Sequence, residues 1–450
     1  MPKPAAGTDR ITLLDAAHVV PVRPVRGSLP NHSVAIQGDR IAGLMPTREA
    51  SQRWPDARHV DLTHHALLPG FINAHTHSPM TLLRGYADDM ALDTWLREHI
   101  WPVEARFVDS GFVEDGTRLA VAEMLRSGTT CFNDMYFFPG STVEVCREAG
   151  MRINAGLTII EMKSSWAADV EAYIEKGLRL LEQWQGQPGV NFALAPHSPY
   201  TVSDGTLERI EQLSARHGLR VHMHLLETEW ELKQSLQQHE QTPLERLKRH
   251  GLLNQRLTAV HMTQLTADDI EDVAEAGASV VHCPQSNLKL ASGFCPVAEL
   301  SDAGVNVALG TDGAAANNDL DMLGEAQTAA LLAKGVAVDA KAVNAFQALE
   351  MMTVNGAQAL GLEEIIGSIE VGKQADLCAL DLDAPRMHPL HHVISQLVYA
   401  AASAQVTDVW VAGRRLLKSG ALTTIDEAAV IHSAAHWRDR MARFGAAADH

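Results

Sequence analysis

Residues 67–77 read LLPGFINAHTH, an apolar run that ends in two histidines one residue apart. In an extended strand, residues i and i+2 point to the same side, so His75 and His77 project together where the run ends. The run lacks a clean alternation of apolar and polar residues, which marks a strand covered on both faces. Covered parallel strands occur in α/β folds, and those folds place their chemistry at the carboxyl ends of the strands.

Seven more runs share this form: Thr129–Met135, Arg152–Ile159, Val190–His197, Arg220–Glu227, Leu257–Gln264, Ala278–Asn287 and Val305–Asp312. Helix-like stretches separate them. Glu114–Ser127, Val170–Gln185 and Ser203–His217 each put apolar residues on one face, and Ser203 stands where an N-cap belongs. Eight strand–helix units predict an α/β fold, a closed (β/α)₈ barrel of the TIM type. The competing open, doubly wound sheet would need a glycine-rich phosphate loop after an early strand, and none is present.

The two chain ends differ from the middle. Ile11–Leu14, Ser33–Gln37 and Arg40–Leu44 read as short strands, as do Ala375–Leu380, Val406–Val411 and Arg414–Leu417. Each set is too small for a stable core alone, so the two are expected to join in one β-sandwich beside the barrel. The expected division is 1–66 and 367–425 for the sandwich, 67–366 for the barrel, and 426–450 for a terminal helix, about Glu427–Phe444, and tail.

Composition narrows the function. Lys and Arg total 37 against 55 Asp and Glu, a net charge of −18. Nucleic acid and anionic membranes demand a cationic face, so neither is expected as a partner; an uncharged small molecule is compatible. The 5 cysteines are widely spaced without a CxxC pair, which argues against a disulfide framework and a cysteine zinc site. MPKPAAGTDR has no apolar leader and no run is long enough to span a bilayer, so a cytoplasmic location is expected.

Polar, metal-type side chains recur at the run ends: His75 and His77 on the first, His197 on the fourth, His222 and His224 on the fifth, His261 in the sixth, Asp312 on the eighth. Glu227 follows His224 by three. Any one of these has an ordinary structural explanation, such as a turn aspartate at Asp312. Their joint placement on one rim points to a metal-dependent hydrolase. Alternation leaves open whether His222 or His224 is the ligand.

The chain resembles the amidohydrolase superfamily, and within it the methylthioadenosine/S-adenosylhomocysteine deaminases. The likeness rests on LPGFINAHTHSPMTLLRG, DMYF, PHSPYT, HMHLLETE, SNLKL and LGTDGAAANND, then NGAQALGL and GSIEVGKQADL. It implies that His75, His77, His224 and Asp312 hold one divalent ion, which three imidazoles and a carboxylate suit best as Zn²⁺. The fourth run, ALAPH, lacks the lysine of binuclear relatives. The resemblance implies deamination of the purine of an adenosine-like nucleoside. Asp312 would take the proton of the attacking water, His261 would steer that water to C6, and Glu227 would protonate N1. Trp95, Glu104 and His197 would contact the nucleoside, with Glu104 accepting from the ribose hydroxyls. Relatives that accept S-adenosylhomocysteine carry arginine after the third strand; here GLTIIEMKSSW offers only Lys163, and Ala316 stands where a serine can occur. Methylthioadenosine or adenosine is therefore expected, with Met80, Met135, Phe137 or Met162 near the 5′ end. Guanine or cytosine deamination and triazine hydrolysis share the same ligands. A barrel that serves as a non-enzymatic scaffold would be expected to have lost some of them. Barrels of this kind often associate, so a homodimer or tetramer is expected.

Overall fold

The computed structural model describes residues 10–448. The opening stretch read above for a leader lies, up to Asp9, outside the described residues.

The chain begins with β1 (Thr12–Val19), β2 (Leu29–Gln37), β3 (Arg40–Pro46) and β4 (Arg58–Pro69). Then come the strands of the middle: β5 (Phe71–Thr76), β6 (Thr129–Tyr136), β7 (Arg152–Ile159), β8 (Val190–Pro196), β9 (Arg220–Leu225), β10 (Leu257–His261), β11 (Ser279–His282) and β12 (Asn306–Leu309). The last are β13 (Leu377–Asp381), β14 (Val406–Val411), β15 (Arg414–Lys418) and β16 (Ala421–Leu422).

Strands β5 to β12 lie side by side in chain order, parallel throughout, as the eight runs predict. Every residue of β6 and β7 is buried, which explains the missing period of two. The circle closes where the Asp312 N–H donates to the His75 carbonyl at 3.0 Å. Gly310 permits that approach: a Cβ there would stand 2.8 Å from the backbone N and O of His75. Ala74, Val260, Val281 and Ala308 pack together as small residues in one buried cluster.

The two ends do join. They form one mixed sheet in the order β16-β15-β14-β13-β4-β1-β2-β3. Its halves meet at the antiparallel pair β4–β13, where Leu68 faces Cys378. The run Leu67–His77 proves to be two strands, one in each sheet. Gly70 divides them, and a Cβ there would lie 2.1 Å from Thr130 Cγ2. Both halves are apolar, so pattern alone could not separate them.

After β5 the chain folds over the barrel mouth as a 3₁₀ turn Ser78–Leu83, a π-helical turn Trp95–Ile100 and the helix Trp101–Phe107. The last helix runs Glu427–Ala448. Among the described residues, no helix is long and apolar enough to cross a membrane.

Arg152, at the start of β7, ties the two sheets together. Its guanidinium grips both oxygens of Asp376 at 2.8 and 2.9 Å, with side-chain exposures of 3% and 1%. Asp376 also accepts the Ala412 N–H at 2.7 Å. Removing one partner strands a buried charge. Arg152→Ala should lower unfolding free energy by about 3–5 kcal/mol, measured by urea titration. A loss under about 1 kcal/mol, the scale of an exposed pair, would show that the link carries no stability.

Candidate metal centre and active site

Four side chains from three strand ends converge at the barrel mouth. One ligand atom each from His75, His77, His224 and Asp312 lies within 4.8 Å of the others. His75 Nε2 and His77 Nε2 stand 3.3 and 3.2 Å from Asp312 Oδ1, and His224 Nε2 stands 3.2 Å from His75 Nε2.

The outer ring nitrogens decide what the inner ones can do. His77 Nδ1 faces the Met135 carbonyl at 2.5 Å, and His224 Nδ1 faces the His197 carbonyl at 2.8 Å. A carbonyl only accepts, so both rings carry a proton on Nδ1 and present Nε2 inward as the ligand atom. His75 Nδ1 pairs with His222 Nε2 at 2.8 Å. His222 therefore stands behind His75, which settles the choice that alternation left open. Three inward ring nitrogens and a carboxylate within 4.8 Å of one another form a set that one cation between them would satisfy. The donor set thus fits a single divalent ion of the zinc type.

Burial reinforces this. It lowers His75 to about 4 and His197 to about 3, and holds His222 and His224 well below the usual histidine range. These rings are neutral at neutral pH, the form that binds metal. At His77 burial also works against charge, but the Asp312 carboxylate and the Met135 carbonyl outweigh it and raise the ring to about 9. Asp312 is opposed by burial too, yet the two imidazoles keep its carboxyl well below the usual range.

Beside the cluster stand an acid and a further imidazole. Glu227 Oε2 lies 3.7 Å from His261 Nε2, and Ser292 Oγ donates to Glu227 Oε1 at 3.3 Å. Burial raises the Glu227 carboxyl, favouring the protonated form. The His261 ring stacks on His224 with centroids 5.3 Å apart. Leu226, His261 and Asp312 all have left-handed backbones, φ 50°, 78° and 61°, without being glycine. Each such residue costs about 1–3 kcal/mol and survives only where its surroundings hold it.

A cavity of about 550 Å³ opens above the cluster. Trp95, Glu104, His197, Glu227, His261 and Ala316 line it, as do Met80, Met135, Phe137, Met162 and Lys163. The Tyr136 hydroxyl donates to Glu104 Oε1 at 2.5 Å. Trp95 both faces the cavity and packs in the cover, its indole N–H on the Ala87 carbonyl at 3.0 Å.

Residues 66–416 match the family model for the amidohydrolase family. The chain belongs to that family. Over 428 residues it is 48% identical to a 5-methylthioadenosine/S-adenosylhomocysteine deaminase of Teredinibacter turnerae, covering 95% of this chain and 97% of the relative. It is 38% identical over 437 residues to a 5′-deoxyadenosine deaminase of Methanopyrus kandleri, covering 96% and 99%. A crystal structure described as an adenosine deaminase of Xanthomonas campestris with bound zinc superposes with a TM-score of 0.95 at 51% identity, covering 96% of this chain and 98% of the other.

Sequence reasoning missed Tyr136, Ser286 and Asn287 in this amidohydrolase site and left the role of His222 open. His222 and Tyr136 support His75 and Glu104. Ser286 Oγ donates to Asp312 Oδ2 at 2.6 Å, and Asn287 Oδ1 holds His261 Nδ1 at 2.8 Å. The stretch SNLKL held the last two, but serine and asparagine at a helix start read as capping residues. Partners behind metal ligands typically matter about 10–100-fold in affinity or activity. Ser286→Ala should therefore weaken zinc binding by about 10–100-fold in a chelator competition; unchanged affinity would mean that Asp312 needs no such partner.

Proposed function

We propose that this amidohydrolase hydrolytically deaminates the adenine ring of a nucleoside, 5′-methylthioadenosine or adenosine, to the inosine-type product and ammonia. The carrying observation is the pairing of one buried acid, Glu227, whose carboxyl burial raises, with a single-metal donor set in one cavity. The names of the relatives at 48% and 38% identity and of the structure at 51% point to the same reaction.

His75, His77, His224 and Asp312 would hold the ion, proposed as zinc. When bound, such an ion makes water acidic enough to act as a nucleophile near neutral pH. Asp312 accepts one proton of that water, while His261, fixed by Asn287, directs its oxygen to C6. Glu227 donates to N1, which makes C6 electrophilic. The C6–O bond forms, the ring loses its aromatic C6–N1 double bond, and the amino group leaves as ammonia with the proton passed on by Asp312. The proton left on the C6 oxygen passes to Glu227, which restores the acid as the C6 carbonyl forms. Glu104, held by Tyr136, accepts from the ribose hydroxyls, and His197 and Trp95 border the nucleoside.

The 5′ end meets a wall of Met135, Phe137 and Met162. Among the described residues, Lys163 is the one lysine or arginine that lines this cavity. A point charge on a flexible stem is a poorer carboxylate clamp than a guanidinium fork. A cytoplasmic enzyme is proposed, in keeping with its 5 free, buried cysteines, and a homodimer or tetramer by analogy with similar barrels.

The first test is the rate on adenosine, methylthioadenosine and S-adenosylhomocysteine with zinc-loaded protein, read from the ultraviolet change of adenine to hypoxanthine. The first two should turn over and the third lag. Zinc-loaded protein inactive on all three would overturn the purine reading. A second test is the pH dependence of KM. Burial raises the Glu104 carboxyl to about 7, against the opposing pull of Tyr136 and His77. Below that pH the carboxyl gains a proton and loses its charge toward the ribose, so KM for adenosine should rise as pH falls from 8 to 6. 2′,3′-Dideoxyadenosine should show no such rise.

A further inference from the structure

Residues 228–231, Thr-Glu-Trp-Glu, read as a helix-capping box, a threonine with an acid three places on. Half of that reading holds. The Thr228 hydroxyl accepts from the Glu231 N–H at 3.3 Å and opens the helix Glu229–His239. The other half is diverted. A capping glutamate normally returns its carboxylate to the amide of the cap residue. Glu231 reaches past it: its Oε2 accepts from the Glu227 N–H at 2.9 Å and its Oε1 from the Leu226 N–H at 3.0 Å.

Two consecutive amides thus converge on one carboxylate, and one belongs to the proposed acid. Glu231 is 2% exposed. The turn it grips contains Leu226, left-handed at φ 50°. On the carbonyl side, the Thr263 N–H donates to Leu226 O at 2.9 Å and Thr263 Oγ1 to Glu227 O at 2.7 Å. On the amide side, Glu231 provides the hold. A left-handed residue persists only where its surroundings determine it, and here the direction of Glu227 into the cavity depends on that residue.

We infer that Glu231 is a positioning residue for the reaction: by clamping the Leu226 and Glu227 amides it aims the Glu227 carboxyl at the substrate. The role of Glu227 rests on the proposed function; the clamp itself does not. Glutamine at 231 keeps the shape but presents an NH₂ to one of the two amides, so one bond becomes a donor–donor contact. A displacement of about 1 Å at a reacting group can cost about 10²-fold in rate.

Glu231→Gln should lower kcat by about 10–100-fold while KM stays within about threefold and zinc remains one per chain. Thr228→Ala, which removes the other half of the box and leaves both amides held, should keep native kcat. In a Glu227→Gln background, Glu231→Gln should cost little more, because both changes act through one carboxyl. Amide exchange at Leu226 and Glu227, which needs no turnover, should quicken in Glu231→Gln and stay slow in Thr228→Ala. Should Glu231→Gln fail to fold, Glu231→Asp, one methylene too short for both amides, is held to the same outcomes. Native kcat in the variant, an undiminished loss in the Glu227→Gln background, or unchanged exchange would each overturn the inference. Faster exchange in an enzyme inactive on every nucleoside would keep the clamp and remove the proposed function.

Discussion

One backbone hydrogen bond, from the Asp312 N–H to the His75 carbonyl at 3.0 Å, closes the barrel and makes the metal centre. The two residues lie at opposite ends of the barrel's sequence, and nothing local brings them together. The seam is reinforced on both sides. Thr76 Oγ1 donates to Asp312 O at 2.8 Å, and Asn73 exchanges two hydrogen bonds with Thr311, at 2.7 and 3.0 Å. Four hydrogen bonds cross the join, and each buried polar group left unpaired there would cost about 1–3 kcal/mol. The barrel's stability thus presses the first and last ligands into contact.

That closure concentrates electrostatic repulsion in a dry place. Three inward ring nitrogens crowd one carboxylate, and two of the rings keep their other nitrogen on backbone carbonyls behind them. A cation removes the conflict, so affinity for metal is a property of the folded scaffold. The same dryness raises Glu227. One environment lowers His75 and His224 and raises an acid, shifts toward a metal-binding imidazole and a proton donor.

Strain follows the same logic. Leu226, His261 and Asp312 each leave a strand in a left-handed turn. Such turns redirect a side chain across the barrel mouth instead of along the strand. They are held by groups outside the reaction: Glu231 and the Thr263 N–H at Leu226, Asn287 at His261, Ser286 and the Gly313 N–H at Asp312.

The sequence by itself determined the barrel, the joining of the two ends, and the identity of the residues that converge on the rim. Those features depend on short-range rules: an i, i+2 histidine pair points one way, a strand covered on both faces shows no alternation, and an apolar run ends where its strand ends. Tertiary structure alone decided which partners stand behind them. His222 and His224 share one face of β9, so only depth in the barrel tells a supporting ring from a ligand. Glu231, Ser286 and Asn287 carry the signature of helix caps, and Leu67–His77 that of a single strand. In each case local chemistry permits two structures, and the choice depends on contacts with residues distant in the chain. Sequence pattern records which face a residue occupies; it does not record what waits for it there.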